Sequence, residues 1–146
     1  MYVFDTREQK NLHVKAYFDR HNIHYIEKKL DCGDYMIEGG TISVDRKRTL
    51  EELSCNLLNP QDKKRFMREV KRAREQGIQL VVLCEHGGKI KTLADVAQWK
   101  SEYSPVHGRA LLDRMYKLSV SYGVRFEFCS KRSTGKRIVE ILEGKL

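Results

Sequence analysis

The chain contains no apolar run close to the ~20 residues needed to cross a lipid bilayer. Met1 to Gln9 mixes charged, polar and apolar side chains, without the basic and then apolar layout of a secretory signal. An intracellular location is therefore expected, cytoplasmic or, in a eukaryote, nuclear. Cysteine is sparse: Cys32, Cys55, Cys84 and Cys129 form no C-x-x-C pair and have no histidine at zinc-finger spacing. They read as reduced thiols in or near the core rather than as a metal or disulfide framework. No H-E-x-x-H pattern is present. The stretch around Gly135-Lys136 fails as a phosphate-binding loop, because Ser130 stands where a glycine is needed and Arg137 where a hydroxyl residue is needed. No nucleotide cofactor is expected. Internal repeats, low-complexity tracts and linkers are also missing, so residues 1–146 read as one domain.

What the chain does have is charge. Lys and Arg number 28 against 20 Asp and Glu, a net +8 that lies mostly in the last two thirds and favours a polyanionic partner. With 40% hydrophobic residues there is still enough apolar material for a core.

The apolar periods alternate between those of strands and helices. Tyr2 to Phe4 reads as a strand and Asn11 to His21 as a helix, followed by a strand over His24 to Leu30. Tyr35 to Val44 reads as a hairpin turning at Gly39-Gly40. Leu50, Leu53 and Leu57 make one helical stripe, Pro60 interrupts it, and Phe66, Val70 and Ala73 make another. Gln79 to Cys84 is apolar almost throughout, the pattern of a central strand covered on both faces. Thr92 to Trp99 and Gly108 to Tyr122 are expected helices, Val124 to Phe128 a strand, and Ile138 to Leu142 a last helix. The sum is an α/β fold with a central mixed sheet flanked by helices.

The hairpin carries the chemistry. A turn at Gly39-Gly40 pairs Tyr35 with Val44 and Asp34 with Asp45, which sets two carboxylates opposite each other. That is unfavourable unless something positive lies between them. Asp45 and Lys47 share one face, while Tyr35, Ile37, Ile42 and Val44 make the apolar one. Two hard oxygen ligands on neighbouring strands suit Mg²⁺ or Mn²⁺, and a lysine beside them can act on an attacking water. The same spacing also suits a solvated hairpin whose acids pair with Arg46 and Lys47.

Gly33-Asp34, ten residues, Asp45-Arg46-Lys47, three residues and Glu51 resembles the GD-x(n)-ERK-x3-D signature of the XPF-type structure-specific endonucleases, a branch of the PD-(D/E)XK nucleases. Asp5-Thr6-Arg7-Glu8 is similar to the family's D-x-R-E segment, and Arg65-Phe66 with Glu69 to its R-F-x-x-E stretch. The strand ending at Glu85 also fits, so the likeness covers residues 2–86 in order. The resemblance implies a restriction-endonuclease-like domain that cuts one strand of branched or flapped DNA with Mg²⁺, for which Mn²⁺ can substitute. Asp34, Asp45 and the Arg46 main-chain carbonyl would hold the metal, with Asp5 as an additional acid. Lys47 would act on the nucleophilic water, and Arg7 and Glu8 would support the site.

Asp45 stands where the family has Glu, and Glu51 where it has Asp. Glu51 also suits the first turn of a helix for electrostatic reasons alone. The tandem helix-hairpin-helix module common in the family is not expected, because the residues after His86 read as further elements of the same domain. The family's habit of dimerising implies a homodimer. A Holliday-junction resolvase, a restriction-like nuclease and a non-catalytic DNA-binding pseudonuclease are the alternatives. Lys63, Lys64, Arg65, Arg68 and Arg72, with Glu69 as the only acid among them, are the candidate DNA contacts, unless they form an ordinary solvated helix face.

Overall fold

Apolar residues at alternating and at helical spacing fold into six strands and five α-helices. In the computed structural model, which describes residues 1–146, β1 (Tyr2–Phe4) leads through α1 (Leu12–Arg20) to β2 (Tyr25–Glu27). The hairpin of β3 (Tyr35–Ile37) and β4 (Ile42–Lys47) follows, then α2 (Leu50–Leu58) and α3 (Pro60–Glu75). β5 (Gln79–Glu85), α4 (Gly108–Tyr122), β6 (Arg125–Cys129) and α5 (Thr134–Leu142) complete the chain. The strands lie in one sheet in the order β2-β1-β3-β4-β5-β6. β3 runs antiparallel to both of its neighbours and the other pairs are parallel, which gives the mixed sheet expected.

Local chemistry explains the helix boundaries. The Thr49 side chain accepts the Glu52 N–H at 3.0 Å and starts α2. Asn59 accepts the N–H groups of Gln61 and Asp62, and Pro60 opens α3 at a position whose N–H has no helical partner anyway. Each face of the sheet then buries a core. Phe4, Val14, Phe18, Tyr35, Val44, Val81, Leu83 and Ile138 pack under α1 and α5. Leu50, Leu53, Phe66, Val70, Leu80, Val82, Leu111 and Met115 pack under α2, α3 and α4. β5 feeds both cores with alternate residues, which is why its sequence is apolar throughout.

Two expectations are corrected and a third is made more specific. The helix expected over Thr92 to Trp99 is a 3₁₀ helix over Leu93–Gln98. Asp95 takes the N–H groups of Lys91 and Thr92 at one end, and at the other Trp99 turns its carbonyl to the Gly108 N–H, which leaves no room for a second α turn. β2 is only three residues long, because the chain leaves the sheet where the Leu30 N–H turns to Asp5. Cys55 is exposed rather than core. No helix is long and apolar enough to cross a membrane.

Gly108 marks a close approach between the 3₁₀ turn and α4. A Cβ there would lie 2.0 Å from the Val96 carbonyl oxygen and 2.6 Å from that of Trp99. Gly108→Ala should therefore cost about 1–3 kcal/mol through overpacking. Thermal denaturation should show a melting point several degrees lower, while Gly87→Ala, with no atom near its Cβ, should leave it unchanged.

Candidate active site

The hairpin closes with Gly39 at φ +77° and with the Gly40 N–H donating to the Ile37 carbonyl at 2.8 Å. Its register pairs Tyr35 with Val44 and Met36 with Ser43, as the count from the glycines requires. Beyond Tyr35 the ladder ends, yet Asp34 stays tied on three sides. Its N–H donates to the Val44 carbonyl at 2.7 Å, its carbonyl accepts the Asp5 N–H at 2.8 Å, and its Oδ2 accepts the Arg46 N–H at 2.8 Å. Gly33 makes this approach possible. It sits at φ +73°, and a Cβ would fall 1.8 Å from Ser43 Oγ.

The Asp34 and Asp45 carboxyl groups are near enough for the charge of one to bear strongly on the other. Burial, the Asp45 charge and the Glu8 charge push the Asp34 carboxyl well above the usual range. Asp45 Oδ1 lies 3.3 Å from Lys47 Nζ, while its Oδ2 is buried with no hydrogen-bond partner. Lys47 Nζ donates to Asn56 Oδ1 at 2.7 Å and stands 5.5 Å from the centre of the Phe66 ring. Burial alone would lower the Lys47 pKa, but Asp45, Asp34 and Glu69 outweigh it and keep the ammonium charged. Glu69 of α3 accepts the Gly33 N–H at 2.8 Å, and burial with the Asp45 charge lifts its carboxyl to about 7. Three acids thus surround one ammonium.

β4 sends its next side chain through the opposite face of the sheet, as a period of two demands. Arg46, only 4% exposed, donates from Nε to Glu8 at 2.8 Å, from Nη2 to the Gln9 carbonyl at 2.8 Å, and from Nη1 to Glu85. Glu85 also accepts from the Thr134 hydroxyl and meets His13 Nε2. Burial would raise the Glu85 pKa, but Thr134, His13 and Arg46 together hold it below the usual value. The guanidinium is thereby an anchor for β4. An extended residue points its N–H and C=O the same way, so the Arg46 carbonyl faces the Asp34 side as its N–H does.

The remaining sequence candidates divide. Asp5, at the end of β1, accepts from Arg7 Nε at 3.0 Å, Arg7 Nη2 at 3.2 Å and the Leu30 N–H at 2.8 Å. Despite burial these bonds lower its pKa. It clamps the loop beside Asp34, and serving as a ligand would mean giving up Arg7. Glu8 supports the site through Arg46. Glu51, in the first turn of α2, accepts the Glu102 N–H at 3.2 Å. On α3, Arg65 and Arg72 flank Glu69, whereas Lys63, Lys64 and Arg68 turn toward Arg114 of α4. Sequence reasoning gave no role to Asn56 or His13 and took Glu69 only as part of a motif. The available signal for Glu69 was its position at the edge of the Phe66, Val70 and Ala73 stripe, where a lone acid ends up half-buried.

No three His, Cys, Asp or Glu side chains form a ready metal-holding group. The side chains alone offer the Asp34–Asp45 pair, with one oxygen unsatisfied and a carbonyl turned the same way. This donor set fits an ion that is held by few carboxylates and keeps its waters.

Solved structures share this fold. "XPF from Aeropyrum pernix" is 21% identical over 97% of this chain with a TM-score of 0.73, and "XPF from Aeropyrum pernix, complex with DNA" is 21% identical over 97% with a TM-score of 0.69. This chain spans 63% and 62% of the length of those two chains. No curated protein sequence matches it. The fold thus defines an XPF-like α/β domain. Residues 4–142 match the ERCC4 domain, so the chain belongs to the ERCC4-domain family, and the XPF-type resemblance holds across nearly its whole length.

Two outcomes test the geometry. Arg46→Ala leaves Glu8 and Glu85 buried without their cation and should cost about 3–5 kcal/mol in urea denaturation. An acid whose folded pKa is about 7, against an ordinary 4.5, weakens the fold as pH rises through that interval. Glu69→Gln, which keeps an oxygen for the Gly33 N–H, should raise the melting point of the metal-free chain at pH 8 and leave it nearly unchanged at pH 4.

Proposed function

We propose that this chain is a metal-dependent endonuclease that hydrolyses a phosphodiester bond in one strand of branched or flapped DNA. The observation that carries the reading is the partnerless Asp45 Oδ2 beside the Asp34 carboxyl, with the Lys47 ammonium 3.3 Å from the other Asp45 oxygen. Asp34, Asp45 and the Arg46 carbonyl are the residues that would hold Mg²⁺, or Mn²⁺ in its place. The ion would supply a water of lowered pKa and stabilise charge on a phosphoryl oxygen.

The chain's own groups do the rest. Lys47, kept charged by its acid neighbours and aimed by Asn56, serves as a donor that orients the attacking water or neutralises a phosphoryl oxygen. Glu69 holds the Gly33–Asp34 turn in place. Arg65 and Arg72 beside it present positive charge to the DNA backbone. DNA as partner is supported by the net charge and by the similar XPF having been solved in complex with DNA. The convergence of Asp34, Asp45 and Lys47 favours catalysis over a pseudonuclease. The resolvase and restriction-like readings share the same metal site and differ in substrate. For the homodimer, the best-suited face is α4, where exposed Tyr116 and Val120 lie beside a depression lined by Leu93, Ala97 and Leu112.

Asp34→Asn and Asp45→Asn should each slow single-turnover cleavage by about 10²-fold or more, consistent with several kcal/mol of metal-assisted stabilisation. Binding to the same DNA in EDTA should be equal or tighter, because a negative charge near phosphate is removed. A panel of flap, splayed-arm and four-way-junction DNA with Mg²⁺ or Mn²⁺ checks this, and normal cutting by both variants would refute the site. Light scattering should give a dimer mass for the native chain and a monomer mass for Tyr116→Glu/Val120→Glu.

A further inference from the structure

The cations of α3 do not form one flank. At 100° per residue, Arg65 and Arg72 lie beside Glu69, Arg68 lies further round, and Lys64 and Lys71 lie nearly opposite Glu69. There they meet α4 across a groove of about 600 Å³ lined by Lys63, Lys64, Arg68, Lys71 and Arg114 over a floor of Leu58, Pro60 and Met67. No carboxylate lines it. Nearby Lys117 is paired with Asp113 at 3.0 Å, but none of the five lining cations has an acid within ion-pair distance. Charges of one sign gathered in a groove give a local positive potential that attracts a polyanion.

We infer that this groove is a second phosphodiester-binding site, taking the backbone of a duplex arm other than the one presented to Asp34 and Asp45. The inference rests on the nuclease reading for the identity of its ligand. Lys64, Arg68 and Lys71 fall at i, i+4 and i+7, a stripe about 10 Å long at 1.5 Å per residue. Phosphates of one strand rise ~3.4 Å each along the duplex axis and lie farther apart along the strand itself, so the stripe reaches about two of them. Such regular spacing suits a nucleic-acid backbone better than an acidic peptide. The acid cluster and the groove occupy opposite sides of α3, joined around its exposed surface by Arg65, Arg72 and Arg68. α3, about 10–12 Å across with its side chains, therefore sits between two arms of one substrate. That geometry makes this domain select junctions over linear duplex.

The test is fluorescence anisotropy in EDTA, where no cleavage occurs, using a three-armed fork and a linear duplex of equal total length. The full chain is compared with Lys64→Gln/Lys71→Gln/Arg114→Gln, and with Arg114→Gln alone in case the triple change disturbs folding. The native chain should prefer the fork. The triple variant should lose about tenfold or more on the fork, become nearly indifferent between the two DNAs, and show a salt slope shallower by about 2–3, at ~0.9 per phosphate contact. Arg114→Gln should move the same way by a smaller factor. An unchanged fork-to-duplex ratio, or an equal loss on both DNAs, would overturn the inference. So would poly-glutamate that binds the native chain but not the variant while DNA affinities stay the same, since the groove would then belong to an acidic protein segment. Cleavage by Asp34→Asn is scored separately with metal, so the groove and the nuclease reading can fail independently.

Discussion

The close approach of the Asp34 and Asp45 carboxyl groups is the constraint around which the molecule is built. Two acids in a partly dry pocket repel each other and lose hydration, and both effects lift the Asp34 pKa. A chain free to relax would separate them. Here the hairpin register, the Gly33 turn and the bond from the Arg46 N–H to Asp34 prevent that. Lys47 compensates only part of the charge, and one Asp45 oxygen remains unsatisfied. That uncompensated negative charge is the feature on which the proposed cation site rests.

Holding such a pair demands rigid support from behind. β4 divides its side chains between two chemistries. Asp45 and Lys47 open onto the face covered by α2 and α3, while Arg46 is locked among Glu8, Glu85 and the Gln9 carbonyl on the other. Glu85 in turn connects to His13 of α1 and Thr134 of α5. One guanidinium thus ties β4 to β5 and to both helices of the far layer. A buried pair of this kind adds little net stability, but removing one member leaves an unpaired charge. The network therefore serves chiefly to fix position.

α3 links the site to the surface. Its apolar stripe packs on the sheet, its Glu69 reaches the Gly33 turn, and its cations spread around the remaining arc. A helix has distinct faces, so one sixteen-residue segment can complete an acidic pocket on one side and line a basic groove on another. Acidic and basic surroundings are thus separated by about one helix diameter.

Much of this was legible in the residues. The Gly39-Gly40 turn fixed the hairpin register by counting, and the alternation on β4 put Asp45 and Lys47 on one face, because both depend only on local backbone geometry. The uninterrupted apolar run of β5 announced a strand buried on both sides for the same reason. The partners of long-range polar groups were not legible. That Asp5 is occupied by Arg7 and Leu30, that Glu51 meets the Glu102 N–H, that Asn56 aims Lys47, and that Glu69 bonds to Gly33 all depend on how elements far apart in sequence dock. The amino-acid order determined which residues share a strand or helix face, since that follows from fixed periods of two and 3.6. Only the packing of α3 against the hairpin and α4 decided which acids lie close enough to perturb one another and which cations face a groove, because those energies depend on distances through space that no local period encodes.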